Sequence, residues 1–129
     1  MIQSTKKMTT TVAQAFKWLD GLKRLETLDI NVPIEIGLPI TNNLHRLQSE
    51  LVPALELRDK MILKFSNGKN AIDKESDPEK YAACMNELEK LGNAELEVQI
   101  SMIDMKKLKL ENAPIWAFFA LDFMVNRSN

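Results

Sequence analysis

The residues Ile40, Leu44, Leu47, Leu51, Leu55, Ile62 and Phe65 recur at steps of three, four and seven along one stretch that opens at Pro39. That spacing lines one side of an α-helix. A helix of this length must lay its apolar stripe against another element, and the sequence supplies one at once. The polar loop from Ser66 to Ser76, with Asn67-Gly68 at its tip, leads to a second periodic stretch from Pro78 to Leu91. Its stripe is Tyr81, Cys84 or Met85, Leu88 and Leu91. Ser76 or Asp77 suits its N-cap, Pro78 its first turn, and Gly92 or Asn93 its stop. The pattern predicts an antiparallel helical hairpin. Pro53 lies inside the first arm and removes one internal hydrogen bond, so that arm is expected to be a kinked helix.

Two segments flank the hairpin. After it, Glu95-Leu96-Glu97-Val98-Gln99-Ile100-Ser101 alternates polar and apolar side chains, the pattern of a strand with one wet face. Before it, Val32-Pro33-Ile34-Glu35-Ile36-Gly37 is β-branched and partly alternating, so a short strand is expected there too, with Pro33 at an edge or at its start. A hairpin returns the chain to its origin, so these strands would pair as a two-stranded antiparallel ribbon. Such a ribbon is marginal unless helices cover its apolar face.

At the N-terminal side, residues 1–10 are polar and lack periodicity, and a mobile segment is expected. From Thr11 onward Val12, Phe16, Leu19, Leu22 and Leu25 form an amphipathic helix that ends at Asp29 to Asn31, with Thr9 to Thr11 offering caps. Gly21 inside it marks a bend or a close contact, and Trp18 lies off the centre of the stripe. Met102 to Leu110 is expected to be an irregular or single-turn connector. A last helix is expected from Pro114 to about Val125, with 126–129 as a polar tail. The fold class is α+β, mostly α, in a single domain over residues 11–125. With 129 residues, 45% of them hydrophobic and 27% charged, the chain can bury a core of its own.

The chemistry-bearing residues are sparse. His45 is the one histidine and Cys84 the one cysteine, so no internal disulfide can form. Neither has a partner at metal-ligand spacing. A contact between them would have to come from the fold, and each is read as structural. No phosphate-cradling glycine loop occurs. The expectation is a non-enzymatic protein with no cofactor and no metal. A formal net charge of −1 supplies no field for nucleic acid, although the acids concentrate between Asp73 and Glu97 and the bases lead before Leu28. No membrane span is expected either. The longest apolar stretch, Ala113 to Val125, is interrupted by Asp122 and too short. A lone thiol and the lack of an apolar leader fit a reducing cytoplasm.

That last stretch bears most directly on function. It holds Trp116, Phe118, Phe119 and Phe123. On a helical wheel Trp116, Phe119, Ala120 and Phe123 share one face, expected to pack inward, while Ile115, Phe118, Leu121 and Val125 occupy much of the rest. A helix apolar all round is enclosed by its own domain or by another chain. Both remain open, as a plug on the hairpin or as a surface for a protein partner or a second copy. The candidate partner-binding residues are Trp116, Phe118, Phe119, Phe123 and, off the first helix, Trp18.

From Val32 to Met102 the chain resembles a group of small tailed-bacteriophage proteins of unknown function. The resemblance rests on Val32-Pro33-Ile34-Glu35-Ile36, on the helix from Leu44-His45-Arg46-Leu47-Gln48 through Ala54-Leu55-Glu56-Leu57-Arg58, on Tyr81 through Met85-Asn86-Glu87-Leu88, and on the acidic strand from Glu95 to Ile100. It implies a phage protein at work in the host cytoplasm or in the virion, and it implies no activity. The expected function is binding, and plausibly inhibition, of a host or antiviral factor. The alternative is a structural or assembly component of the virion.

Overall fold

The computed structural model describes residues 4–28, 31–68, 71–110 and 112–127. Several residues named above lie outside the described residues: Met1 to Gln3 in the N-terminal segment, Asp29 and Ile30 at the end of the first helix, Lys69 and Asn70 in the hairpin loop, and Ser128 and Asn129 in the tail. The order is β1 (Thr5–Thr11), α1 (Val12–Leu25), α2 (Ile34–Phe65), α3 (Pro78–Gly92), β2 (Glu95–Ser101), β3 (Ile103–Asp104), α4 (Ile115–Leu121) and β4 (Val125–Asn126). Single 3-10 turns at Met105–Lys107 and Asp122–Met124 flank α4. The class is α+β and mostly helical, as expected, with four helices and a two-stranded antiparallel ribbon among the described residues.

The ribbon, however, uses a different strand. The expected strand at Val32–Gly37 is the first turn of α2, which starts at Ile34, with Pro33 as an extended N-cap whose carbonyl accepts from Ile36 (3.0 Å) and Gly37 (2.8 Å). The cause is helical register. Ile36 falls on the same side as Leu44, Leu47 and Leu51, and all four are buried. That stripe outweighs the local β-branching. Pro39 therefore sits inside the helix and removes a bond to the carbonyl of Glu35, while α2 continues through both Pro39 and Pro53.

The strand facing β2 comes from the segment expected to be mobile. β1 pairs antiparallel with β2 from Thr5 opposite Ser101 to Thr11 opposite Glu95. Threonine favours extended backbone because its branched Cβ packs well on a pleat. Met8 lies opposite Val98 and Thr10 opposite Leu96, all on the covered face. Glu95, Glu97 and Gln99 form the wet face read from the sequence. There Lys7 and Glu97 pair at 3.3 Å, both side chains more than half exposed, a contact worth little in water. The last strand residue breaks the alternation: Ser101 is fully buried.

Its burial comes from Asn43 of α2, itself fully buried. Asn43 Oδ1 accepts the Ser101 N–H at 2.7 Å and Asn43 Nδ2 donates to the Ser101 carbonyl at 2.9 Å. Nδ2 also lies 3.4 Å from Met124 Sδ. Arg46, one turn on, donates to Ser101 Oγ at 2.9 Å. One asparagine thus closes the end of β2 against the long helix and touches the C-terminal segment. β3 and β4 pair in parallel just beyond, Ile103 with Val125, so the expected tail begins inside a strand.

The core gathers on one half of α2. Leu44, Leu47 and Leu51 are buried with Leu19 and Leu22 of α1, Val98 and Ile100 of β2, and Leu121 and Met124 at the C-terminal end. Beyond Leu51, no described residue of α2 is fully buried, and on α3 Cys84 alone is. The far half of the hairpin is therefore half-dry. Leu47→Ala should cost about 2–5 kcal/mol, and Leu88→Ala, at a half-buried site, clearly less. Asn43→Ala strips both backbone groups of Ser101 of their partner and should cost about 2–4 kcal/mol. Urea midpoints at an unchanged slope check all three.

Candidate functional site

α4 lies along α1 in the opposite direction, and three contacts fix it. Trp18 stacks on Phe123, ring centroids 4.5 Å apart and planes within 7°. A Cβ placed on Gly21 would meet the Cβ of Ala120 at 3.2 Å. The Arg24 guanidinium sits 4.0 Å above the ring of Trp116. Residues 18, 21 and 24, one turn apart on α1, meet 123, 120 and 116 in descending order. The middle contact sets the geometry: without a side chain at Gly21 the two backbones approach closely, and the aromatic groups fill the space on either side. Stacking and cation–π contacts of this kind add about 0.5–1.5 kcal/mol each beyond burial.

This seam re-sorts the candidate residues. Trp18, Trp116 and Phe123 are half-buried in it, their rings engaged within the chain. The inward face of α4 is centred on Ala117 and Leu121, both fully buried, and on Met124 in the following turn. Phe119, expected inward, is 74% exposed, and Leu121, expected outward, is fully buried. Of the four residues expected inward, Trp116, Ala120 and Phe123 do pack on α1 and the core, while the fully buried positions lie to one side of them. Close approach admits small side chains at the centre of a contact and pushes bulky ones to its flanks. The last helix also ends at Leu121, after which Asp122–Met124 tightens to a 3-10 turn and Val125 enters β4.

What remains outside is a compact apolar patch. Ile115 (73% exposed), Phe118 (39%) and Phe119 (74%) sit at i, i+3 and i+4 of a single helix. Ile115 and Val125 were expected on the outer side with Phe118; Ile115 is there, and Val125 is buried. Ile115 was weighed in the sequence only as an outward residue of the wheel, yet the patch begins with it. Asp122, one turn further, pairs with Arg127 at the edge.

The sequence's other chemistry-bearing residues lie on separate elements. His45 is exposed on α2 and Cys84 buried on α3. Among the described residues no group of three or more His, Cys, Asp and Glu side chains is placed to hold a metal ion. The cleft beside β3 and β4, about 590 Å³, brings together Asp104, Lys106 and Arg127, all exposed. Asp73 accepts the N–H of Glu75 at 2.9 Å, and that bond lowers its pKa below the ordinary carboxylate value, in an exposed turn ahead of α3. No helix among the described residues is long and apolar enough to cross a membrane.

No protein-family model, curated protein or solved structure matches this chain. Gly21→Val should force α4 off α1 and cost about 1–3 kcal/mol. Tryptophan emission should change with it, because Trp18 and Trp116 both sit in the seam. A variant with wild-type midpoint and spectrum would show that the close approach is not what holds α4.

Proposed function

We propose that this protein is a protein-binding module whose anchor is the outer face of α4. The observation that carries this reading is the patch of Ile115, Phe118 and Phe119. Large apolar groups in water are costly when contiguous, and contiguous exposure of this kind marks interaction surfaces. Aromatic side chains dominate binding energy when they enter a pocket on a partner. The seam with α1 supports the same reading. α4 is held on its back by Gly21, Trp18 and Arg24, so presenting its outer face costs little ordering on binding.

The partner chemistry that fits is an apolar groove that accepts two aromatic rings and an isoleucine one helical turn apart. The resemblance of Val32–Met102 to small phage proteins favours a host or antiviral protein as that partner, with occlusion of its groove as the means of inhibition. A binder of this kind acts in the infected cell, and particles purified from infected cells would lack it.

Phe119→Glu tests the reading, with Ile34→Glu as its control, since Ile34 is 71% exposed on a different helix. Both variants should keep wild-type stability to within about 0.5 kcal/mol, as surface substitutions do. Affinity for the captured partner should fall about thirtyfold or more with Phe119→Glu and stay unchanged with Ile34→Glu. Partner binding that survives Phe119→Glu, or falls equally in both variants, would contradict it.

A further inference from the structure

The two edges of the ribbon differ in what lies beside them. Ser4 and Met102 are joined by a bond from the Met102 N–H to the Ser4 carbonyl (2.7 Å), and antiparallel pairing alternates from there. Lys6, Met8 and Thr10 therefore turn their backbone groups toward β2. Thr5, Lys7, Thr9 and Thr11 turn theirs away. On β2 the outward groups begin with Ser101, whose N–H and carbonyl are both taken by Asn43. Arg46 and Glu50 of α2 share a cleft with Glu97 and Gln99 along the same edge. α2 thus ties that edge at Ser101 and flanks it along Glu97 and Gln99. Along β1 no described backbone group pairs with the outward positions of Thr5, Lys7 and Thr9.

We infer that the free edge of β1 pairs with the same edge of a second copy, giving a four-stranded sheet in the order β2, β1, β1, β2. The argument for a copy is the self-complementarity of Thr5-Lys6-Lys7-Met8-Thr9-Thr10-Thr11. An antiparallel pairing with Met8 on the two-fold axis sets Thr5 opposite Thr11 and Lys7 opposite Thr9. The Thr11 carbonyl is taken by the first turn of α1, and the remaining outward groups face one another across the join, making about six hydrogen bonds. Lys6 meets Thr10 and Met8 meets Met8, so apolar and wet faces stay continuous across the join. Moving the axis to Lys7 sets two lysines opposite each other, and moving it to Lys6 does the same with that pair. Both registers are penalised, and an axis at Thr9 leaves Thr5 opposite α1 without a strand partner, so the Met8 register is favoured.

A lysine on a strand edge usually guards it against such pairing. Here Lys7 lies back across its own ribbon toward Glu97, so its side chain is directed away from the outer edge of β1. The ribbon also gains what two strands alone lack, since sheets of more strands are markedly more stable. The contact is independent of α4 and leaves the patch of Ile115, Phe118 and Phe119 available to a different protein, so a dimer would present two such patches.

Thr9→Pro is the direct test. Proline removes an N–H that points away from β2 and places its ring on the outer edge, a position where strands tolerate it. Light scattering across a dilution series should report a wild-type dimer of the 14.7 kDa chain. Thr9→Pro should weaken self-association about a hundredfold or more, with an unchanged circular dichroism spectrum. Should Thr9→Pro disturb the fold, hydrogen exchange of the wild type decides. The amides of Lys7 and Thr9 should be protected at high concentration and exchange freely on dilution, while Met8 stays protected in both. Phe119→Glu should remain dimeric. A wild type that is monomeric throughout overturns the inference. So does a dimer broken by Phe119→Glu and not by Thr9→Pro, which would place the copies together through α4.

Discussion

The carboxamide of Asn43 is the constraint on which the remaining contacts depend. A two-stranded ribbon cannot stand alone, and a long helix with a narrow stripe does not specify where a ribbon should lie. Asn43 settles both by taking the N–H and the carbonyl of one strand residue, Ser101, in a fully dry place. Apolar contacts tolerate sliding by a fraction of a turn. A buried amide with both ends engaged does not, because any shift leaves a desolvated polar group without a partner. The register of α2 against β2 follows, and with it the register of β1, which takes its positions from β2.

The C-terminal segment hangs on the same point. Met124 touches the Asn43 side chain, and β3 and β4 pair immediately beyond Ser101. α4 is thus held at its end by the clamp and along its length by α1. A helix of seven residues is too short to persist in water by itself. Its outer face, with Phe118 and Phe119, has a defined shape only because the inner face is fixed at Gly21, Trp18 and Arg24. Binding surface and core are two sides of one short helix, which connects the stability of the clamp to the proposed activity.

Much of this was legible in the residues. The stripes of α1 and α2, the loop at Asn67-Gly68, the start and stop of α3 and the alternation of β2 all follow from periodicity and turn chemistry. Of the bend or close contact that Gly21 marks in the sequence, the structure shows the close contact. Other features are decided by tertiary context. The β-branched Val32-Pro33-Ile34 stretch reads locally as strand, and only the continuation of the stripe through Ile36 makes it helix. The polar Thr5–Thr11 has no apolar run, so its strand is visible only once β2 needs a neighbour. The close approach of α4 to α1 depends on a glycine about a hundred residues away, which no wheel of the helix itself contains. Asn43 was invisible for a related reason: a polar residue on the edge of a stripe looks like surface until a strand end arrives to use it.

Native-state hydrogen exchange tests the central claim, that one clamp orders the ribbon and the presented helix as a single unit. The amides of Ser101 in β2 and Leu121 in α4 should open with the same free energy, equal to that of global unfolding, and should shift together with denaturant. If Leu121 exchanges through a separate, low-energy opening while Ser101 stays protected, α4 is not held by the clamp, and the account of how its outer face is presented is wrong.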